Sequence, residues 1–228
     1  MKTLLIVHHS LTGGTRRMAE AAAEGAAGES AVTARLLHAA AASGEDVLNA
    51  DGYLFATPEN LAAMSGMLKD FFDRSYYACF DRINGRPYGM LICAGSDGEN
   101  AARQITRIAT GWRLKLVAPA LIVRTHAQTP EAILAPKHIG SDDLARCAEL
   151  IEGSLAMCTS LVPVIGYDKS AALAKDAFKQ GKTVRQLAYE TLVGQKDNAG
   201  HAITREAIDQ YLDPWSMTLP GGEGSSGG

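Results

Sequence analysis

The residues best suited to chemistry form a short loop at 10–15, rich in hydroxyl groups and glycine. It lies between an apolar run at 3–7 and an alanine-rich run that begins near Arg16, which predicts a strand, a tight turn and a helix start. The first turn of a helix carries unpaired backbone N–H groups and partial positive charge, which favour an anion. Hydroxyl side chains add donors, and glycine lets the backbone curl closely around a ligand. We therefore predict a phosphate site formed by Ser10, Thr12, Gly13, Gly14 and Thr15.

Two further loops of similar composition, at 57–61 and 94–98, each follow an apolar run that is typical of a strand. In a doubly wound sheet, ligands bind beside the carboxyl ends of the strands, at the point where the strand order reverses. In one of the common strand orders of such sheets, 2-1-3-4-5, the first, third and fourth strands are neighbours. The loop at 10–15 and these two loops are therefore expected to meet at one edge of the sheet.

The elements that must position these loops alternate along the chain. Five strands are predicted, the first from an apolar run that is continuous, as in a buried parallel strand. Pro119 in the fifth predicts an edge or bulge position, and three breakers in 125–140 predict a surface loop. The alternation predicts an α/β fold, a doubly wound five-stranded parallel sheet with helices on both faces. The strands are placed at 3–8, 32–37, 52–57, 88–93 and 116–123, and the main helices at 16–27, 65–77, 100–112 and 142–161.

Composition excludes several classes of protein. The 228 residues carry a net charge of −3, which predicts no surface for nucleic acid or an anionic membrane. No apolar stretch approaches the roughly 20 residues of a membrane span, and the chain begins without a signal-peptide pattern. The cysteines fit neither a zinc site nor a C-x-x-C motif, so no metal is expected. They are Cys79, Cys93, Cys147 and Cys158. These features predict a cytoplasmic protein with free thiols.

The segment His9-Ser10-Leu11-Thr12-Gly13-Gly14-Thr15 is similar to the Ser/Thr-x-Thr-Gly-x-Thr phosphate loop of the flavodoxin and NAD(P)H-dependent FMN reductase superfamily. Thr57-Pro58-Glu59-Asn60 resembles the second loop of that superfamily, and the segment 93–98 stands where its third loop would be. The resemblance covers about residues 1–145. It implies a flavodoxin-like fold with the strand order given above.

The resemblance also implies FMN as cofactor, with its phosphate bound by the loop at 10–15. The flavin carries the hydride chemistry, so no side chain of this chain is required as a catalytic acid or base. The isoalloxazine ring would lie between the second and third loops. The implied contacts are Thr57, Pro58, Glu59, Asn60 and Leu61 on one side and Ala94, Gly95 and Ser96 on the other.

The C-terminal part resembles a different family. The segment 154–169, in particular Ile165-Gly166-Tyr167-Asp168-Lys169, is similar to the C-terminal region of class II fumarases, and the resemblance covers about residues 150–220. The catalytic apparatus of that family lies upstream of this region, and nothing like its Gly-Ser-Ser-x-Met-Pro loop occurs in this chain. We therefore expect a small all-α appendage without fumarase activity.

Three segments follow from these patterns: a flavodoxin-like FMN-binding domain at 1–161, a fumarase-like helical segment at 162–220, and a flexible Gly/Ser tail at 221–228. Two interpretations of the junction stay open. One is a functional fusion, in which the appendage docks a partner or forms a homo-oligomer. The other is a passive recombination, tolerated because both parents supply an amphipathic helix at 142–161.

For the whole chain we favour an FMN-dependent oxidoreductase that transfers electrons from NAD(P)H to a small acceptor such as a quinone or a flavin. The alternatives are a flavodoxin-type electron carrier with a redox partner protein, and a non-catalytic interaction module built on the fumarase-like segment. Residues 1–160 contain 15 Lys or Arg and 17 Asp or Glu, a net charge of −2. This is weakly charged for a carrier that docks through an acidic face, which favours the reductase.

Overall fold

The computed structural model describes residues 2–27, 32–152, 162–166, 169, 172–173, 176, 180, 182 and 184–212. The chain divides into two compact units, Met1–Ile151 and Glu152–Gly228. The domain boundary predicted after residue 161 and the predicted tail at 221–228 lie outside the described residues, and both stay predictions. None of the described helices is long and apolar enough to cross a membrane.

The first unit alternates strands and helices as the sequence predicts. Its strands are β1 Lys2–His8, β2 Val32–His38, β3 Gly52–Asn60, β4 Ala63–Met64, β5 Pro87–Ala94, β6 Lys115–Leu116 and β7 Leu121–Arg124. Its helices are α1 Gly14–Ala27, α2 Gly44–Leu48, α3 Gly66–Cys79, α4 Glu99–Gly111, α5 Pro130–Leu134 and α6 Ser141–Glu152.

The main sheet is parallel, in the order β2-β1-β3-β5, with β6 and β7 both beside β5. This confirms the predicted fold and strand order, with β6 and β7 as two halves of the predicted fifth strand. Leu116 lies opposite Tyr88 and Leu121 opposite Leu91, so the outer strand has two more residues than β5 over the same stretch. Pro119 lies in this bulge, where its missing N–H breaks no regular ladder.

Alternate residues of β1 pack on opposite faces of the sheet. Leu5 and Val7 belong to a core that they share with Phe55 of β3, with Phe71 of α3 and with residues of α2 and α4. Leu4 and Ile6 belong to a second core, formed mainly with α1 and α6. A central strand buried on both faces explains why the first apolar run is continuous.

Two details of the first unit differ from expectation. The predicted loop at 125–140 contains α5, a single helical stretch whose N-cap Thr129 accepts a hydrogen bond from Ala132 N at 3.2 Å. The third strand does not stop at Pro58 but continues to Asn60. β1 makes its last pair with β3 between His8 and Ala56, so Pro58 lies beyond the end of β1 and its missing N–H leaves no ladder partner unpaired.

The second unit is helical where it is described, which agrees with the predicted all-α appendage. The helices whose bounds fall among the described residues are α7 Val162–Ile165, α8 Val184–Leu192 and α9 Arg205–Tyr211. They surround a core of their own that includes Ile165, Leu187 and Ile208. Lys196 and Ala202 form a β-bridge between α8 and α9, and the Asp197 carboxylate accepts hydrogen bonds from the backbone in this turn. The sequence also predicts a helix at 170–179, and most of it lies outside the described residues.

Candidate cofactor site

The loop at 10–15 turns tightly between the end of β1 and the start of α1. Gly13 has φ +88°, a left-handed conformation that glycine adopts without strain. Its N–H donates to Ser10 Oγ at 3.1 Å, and its carbonyl accepts the first helical hydrogen bond from Arg17 N at 3.0 Å. The N–H groups of the first helical turn therefore point out of the helix beside the Ser10 and Thr12 hydroxyls.

Gly14 requires glycine for a different reason. A Cβ at this position would lie 2.7 Å from Cys93 Sγ, closer than real Cβ atoms approach, and a tight 3.0 Å from Lys137 Cβ. Lys137 N also donates to Thr12 O at 2.8 Å. The loop is thus packed between the end of β5 and the segment that follows α5, which fixes its shape.

Thr15 has a buried side chain, 1% exposed, and its hydroxyl has no oxygen or nitrogen partner among the described residues. Burial raises the pKa of the neighbouring Cys93 thiol, and a hydrogen bond from the Thr15 side chain opposes that rise. Thr15 stands in the first turn of α1, where a partial positive charge favours an anion. A thiol is a weak hydrogen-bond partner, so the Thr15 hydroxyl can still pair with a stronger one. The position of Thr15 therefore fits a ligand phosphate.

The second predicted loop is the turn of a hairpin between β3 and β4. Leu61 and Ala62 occupy the turn, with φ of 49° and 57°. Thr57 is fully buried and holds the base of the hairpin, since its Oγ1 donates to Pro58 O at 2.9 Å and accepts from Ser65 N at 3.0 Å. Thr57 thus supports the loop from inside, whereas Leu61 is exposed at its tip.

The third loop is bonded to this hairpin. Gly98 N donates to Glu59 Oε2 at 2.8 Å, and the Asn100 side chain donates to Ala62 O. The other carboxylate oxygen, Glu59 Oε1, is buried and has no partner among the described residues. The second and third loops therefore form one rigid wall that contains a spare acceptor.

Within the third loop, Ala94 is buried at the end of β5, Gly95 is partly exposed and Ser96 is exposed. Thr125 anchors the loop, because its N–H and hydroxyl both donate to Ala94 O, at 2.9 and 3.1 Å. A Cβ at Gly95 would lie 3.3 Å from Ala127 O, so this position favours the smallest residue.

The parallel strands β1, β3 and β5 bring all three loops to one edge of the sheet. The loop at 10–15 packs against Cys93 next to the third loop, and the third loop is bonded to the hairpin. The assignment of individual contacts to FMN stays a prediction. It covers Ser10, Thr12, Gly13, Gly14, Thr15, Thr57, Pro58, Glu59, Asn60, Leu61, Ala94, Gly95 and Ser96.

Three histidines lie beside the phosphate loop, and sequence reasoning did not assemble them. The His38 ring is 5.5 Å from both the His8 and the His9 rings, centroid to centroid, with the edge of one ring towards the other. Burial lowers the pKa of both His8 and His9, and the nearby His38 lowers it further. The parallel register pairs His8 with His38. The sequence indicates this pair only through a histidine at the end of each of two neighbouring strands.

The remaining candidate groups are structural. Burial raises the pKa of the Cys93 thiol, and it raises the pKa of Cys147 to about 12, so neither is a thiolate nucleophile at neutral pH. Among the residues that the structure describes, no cluster of His, Cys, Asp and Glu could hold a metal ion.

Comparison with known families gives two matches on separate parts of the chain. Residues 38–128 match the family NADPH-dependent FMN reductase, and residues 157–219 match the family Fumarase C C-terminus. Both resemblances noted in the sequence are confirmed. They meet in one chain, which is consistent with a fusion.

Individual relatives divide in the same way. The chain is 37% identical to a flavodoxin of Aquifex aeolicus over 96 residues, which are 42% of this chain and 50% of that one. It is 38% identical to a class II fumarate hydratase of Pseudomonas putida over 82 residues, 36% of this chain and 16% of that enzyme. The chain thus spans half of the flavodoxin and a small part of the fumarate hydratase.

The fold of the first unit is similar to that of solved flavodoxins. A flavodoxin from the domain Archaea superposes with a TM-score of 0.53 at 17% identity, covering 65% of this chain and 92% of that one. This similarity supports the flavodoxin-like fold.

Proposed function

We propose that the first unit binds FMN and transfers electrons from NAD(P)H to a small acceptor. The observation that carries this proposal is the meeting of the phosphate loop with the bonded wall of the second and third loops. Each contains one buried polar atom that has no oxygen or nitrogen partner among the described residues. Thr15 Oγ1 would donate to a phosphate oxygen, and Glu59 Oε1 would accept from an N–H of the flavin ring. The match to NADPH-dependent FMN reductases over residues 38–128 supports the same cofactor.

The chain's own residues bind and orient the cofactor in this proposal. Ser10, Thr12 and the first turn of α1 would hold the phosphate with neutral donors, which suits a phosphate monoester at a helix N-terminus. The bonds from Gly98 to Glu59 and from Asn100 to Ala62 would fix the spacing of the wall beside the ring. When bound, FMN would supply the redox chemistry, accepting hydride from NAD(P)H and passing two electrons to a quinone that takes up two protons.

The visible absorption spectrum of the purified chain, reconstituted with FMN, tests cofactor binding. We expect flavin bands and quenching of FMN fluorescence on titration. A chain that folds but leaves the FMN spectrum and fluorescence unchanged would overturn the proposal. His38→Asn, outside the predicted contacts, should bind FMN like the wild type.

A flavodoxin-type electron carrier is the second candidate, supported by the flavodoxin of Aquifex aeolicus and by the fold. Steady-state oxidation of NADPH with a quinone separates the two functions. Turnover in the absence of any other protein supports the reductase. A flavin that is reduced only by a partner reductase, with no turnover by NADPH, supports the carrier.

We propose no catalytic role for the fumarase-like segment. It matches only the C-terminal part of a fumarate hydratase, of which it spans 16%. The absorbance of fumarate in the ultraviolet should stay constant with the full chain at micromolar concentration.

Because the first unit needs no membrane or nucleic acid for this chemistry, we propose a cytoplasmic site of action.

A further inference from the structure

The tip of the β3–β4 hairpin combines an exposed apolar side chain with an unfavourable backbone. Leu61 is 102% exposed, and both Leu61 and Ala62 have left-handed φ values of 49° and 57°. Two-residue hairpin turns with this backbone favour Asn-Gly, and other side chains are strained there. The chain therefore keeps an apolar pair at a position where local preference would select polar or small residues.

The hairpin is held in this conformation from the side of α4. Met64 N donates to Gln104 Oε1 at 3.0 Å, the Asn100 side chain donates to Ala62 O, and Glu59 binds Gly98 N. These bonds lie on both sides of the turn, so the strained tip is fixed in place. Strained residues that are fixed in this way concentrate at ligand sites.

Other exposed apolar side chains lie on the neighbouring loops. Leu11 on the phosphate loop is 69% exposed and Leu134 on α5 is 78% exposed. The hydrogen bond from Lys137 N to Thr12 O joins the segment after α5 to the phosphate loop. Neither 10–15 nor 60–64 contains a charged residue. The third loop carries the exposed carboxylate Asp97, so the apolar part of this surface is limited to the hairpin tip and the phosphate loop. At these two loops a neutral, apolar molecule can cover the leucine side chains without desolvating a charge.

We propose that Leu61 determines the specificity of the acceptor site, where the Leu61–Ala62 tip contacts a neutral, apolar acceptor of the quinone class. This inference rests on the proposed FMN-dependent reductase. In the balanced reaction, NAD(P)H gives up a hydride, one proton comes from water, and the quinone gains two electrons and two protons to become the hydroquinone.

The double variant Leu61→Asn/Ala62→Gly tests this role without weakening the turn. It supplies the sequence that the turn prefers, so thermal stability should be unchanged or higher. Losing the apolar contact should raise the Kd of the oxidised holoprotein for an uncharged naphthoquinone about tenfold, measured by calorimetry without NADPH. The KM of the FMN-loaded protein for the same quinone should rise by a similar factor.

Two controls separate the outcomes. Ferricyanide is a small charged acceptor that gains little from an apolar contact, so its KM should change by a smaller factor than the quinone KM in the double variant. Leu116→Asn removes another exposed leucine, which is 41% exposed on β6 beside the start of β5, away from the carboxyl ends of the strands. It should leave the KM for both acceptors unchanged. An unchanged quinone Kd, or equal changes for both acceptors, would overturn the role of Leu61. Failure of the wild type to bind FMN or oxidise NADPH would instead overturn the proposed function.

Discussion

Two hydroxyl groups buried in the first unit, Thr15 Oγ1 and Ser75 Oγ, have no oxygen or nitrogen partner among the described residues. Thr15 stands in the first turn of α1 beside the phosphate loop, and Ser75 lies in α3 within the other face of the protein. A buried hydroxyl of this kind thus occurs both at the candidate site and away from it. This pair allows a functional hydroxyl to be distinguished from a structural one.

Thr15→Val should leave stability unchanged or slightly higher and weaken FMN binding. Valine keeps the shape of threonine, and the protein loses only a weak hydrogen bond to the Cys93 thiol among the described residues. A hydrogen bond to a charged group is worth about 1.5–3 kcal/mol, so the Kd for FMN should rise at least tenfold. Fluorescence titration with FMN and thermal unfolding of the apoprotein measure the two effects.

Ser75→Ala is the matched control for Thr15→Val. It removes another unpaired buried hydroxyl, and the Kd for FMN should stay within twofold of the wild type. Equal FMN affinities for the two variants would exclude Thr15 as a phosphate donor.

The histidines beside the phosphate loop make stability depend on pH. Burial lowers the pKa of His8 below its ordinary value of 6.5, so the unfolded state binds more protons than the folded state once the pH falls towards that value. The free energy of unfolding should therefore decrease between pH 7.5 and 5.5. Asp46 and Asp51, whose pKa values lie below 3.8, act at lower pH and outside this window.

Urea denaturation across this pH range measures the effect, and His8→Asn should flatten the slope. His138→Asn is the control, because His138 is an exposed histidine of the same unit. Because burial also lowers the pKa of His9, part of the slope should remain. A slope equal to that of the wild type would mean that other groups cause the acid sensitivity.

At the scale of elements, the hairpin and α4 behave as one assembly, and Gln104 is the contact that is easiest to remove. Gln104→Ala leaves the buried Met64 N–H without its acceptor at 3.0 Å. Stability should fall by about 1 kcal/mol, partly offset by the higher helix propensity of alanine. The Met64 amide should exchange its hydrogen faster, as measured by mass spectrometry. The control is Arg103→Ala, at the exposed residue next to Gln104, which should change neither the stability nor this exchange rate. Unchanged exchange at Met64 would show that β3 alone holds the hairpin.

The order and position of the main elements could be predicted because their signals are local. A continuous apolar run predicted β1 as a buried strand, and the alanine-rich run after the phosphate loop predicted α1. The turn at Leu61 and Ala62 could not be predicted, since neither residue favours a left-handed backbone. α5 was hidden by Pro130, which breaks most helices but is accommodated in the first turn of this one.

For the candidate site, sequence could indicate which loops meet but not how they bond. The strand order was sufficient to bring 10–15, 57–61 and 94–98 to one edge. The bond from Glu59 to Gly98 and the packing of Gly14 on Cys93 depend on side-chain directions that only the assembled sheet fixes. Likewise, the meeting of His8 with His38 depends on the register between β1 and β2.

At the scale of the whole molecule, the two units differ in what they contain. Every predicted FMN contact and both cores of the sheet lie within Met1–Ile151. The described part of the second unit has its own apolar core. Each unit thus satisfies by itself the main condition for independent folding, a buried apolar core.

Truncation after residue 161 should therefore leave a folded protein that binds FMN with the affinity of the full chain. The sheet retains both covering layers of helices, because α6 on one face and α3 and α4 on the other are all present. Fluorescence titration gives the Kd for both chains, and size-exclusion chromatography with light scattering gives their oligomeric states. Equal Kd values and equal states would identify the fumarase-like segment as a passive fusion. A lower oligomeric state with intact FMN binding would assign it an assembly role, whereas loss of FMN from a folded truncated chain would show that the site requires the second unit.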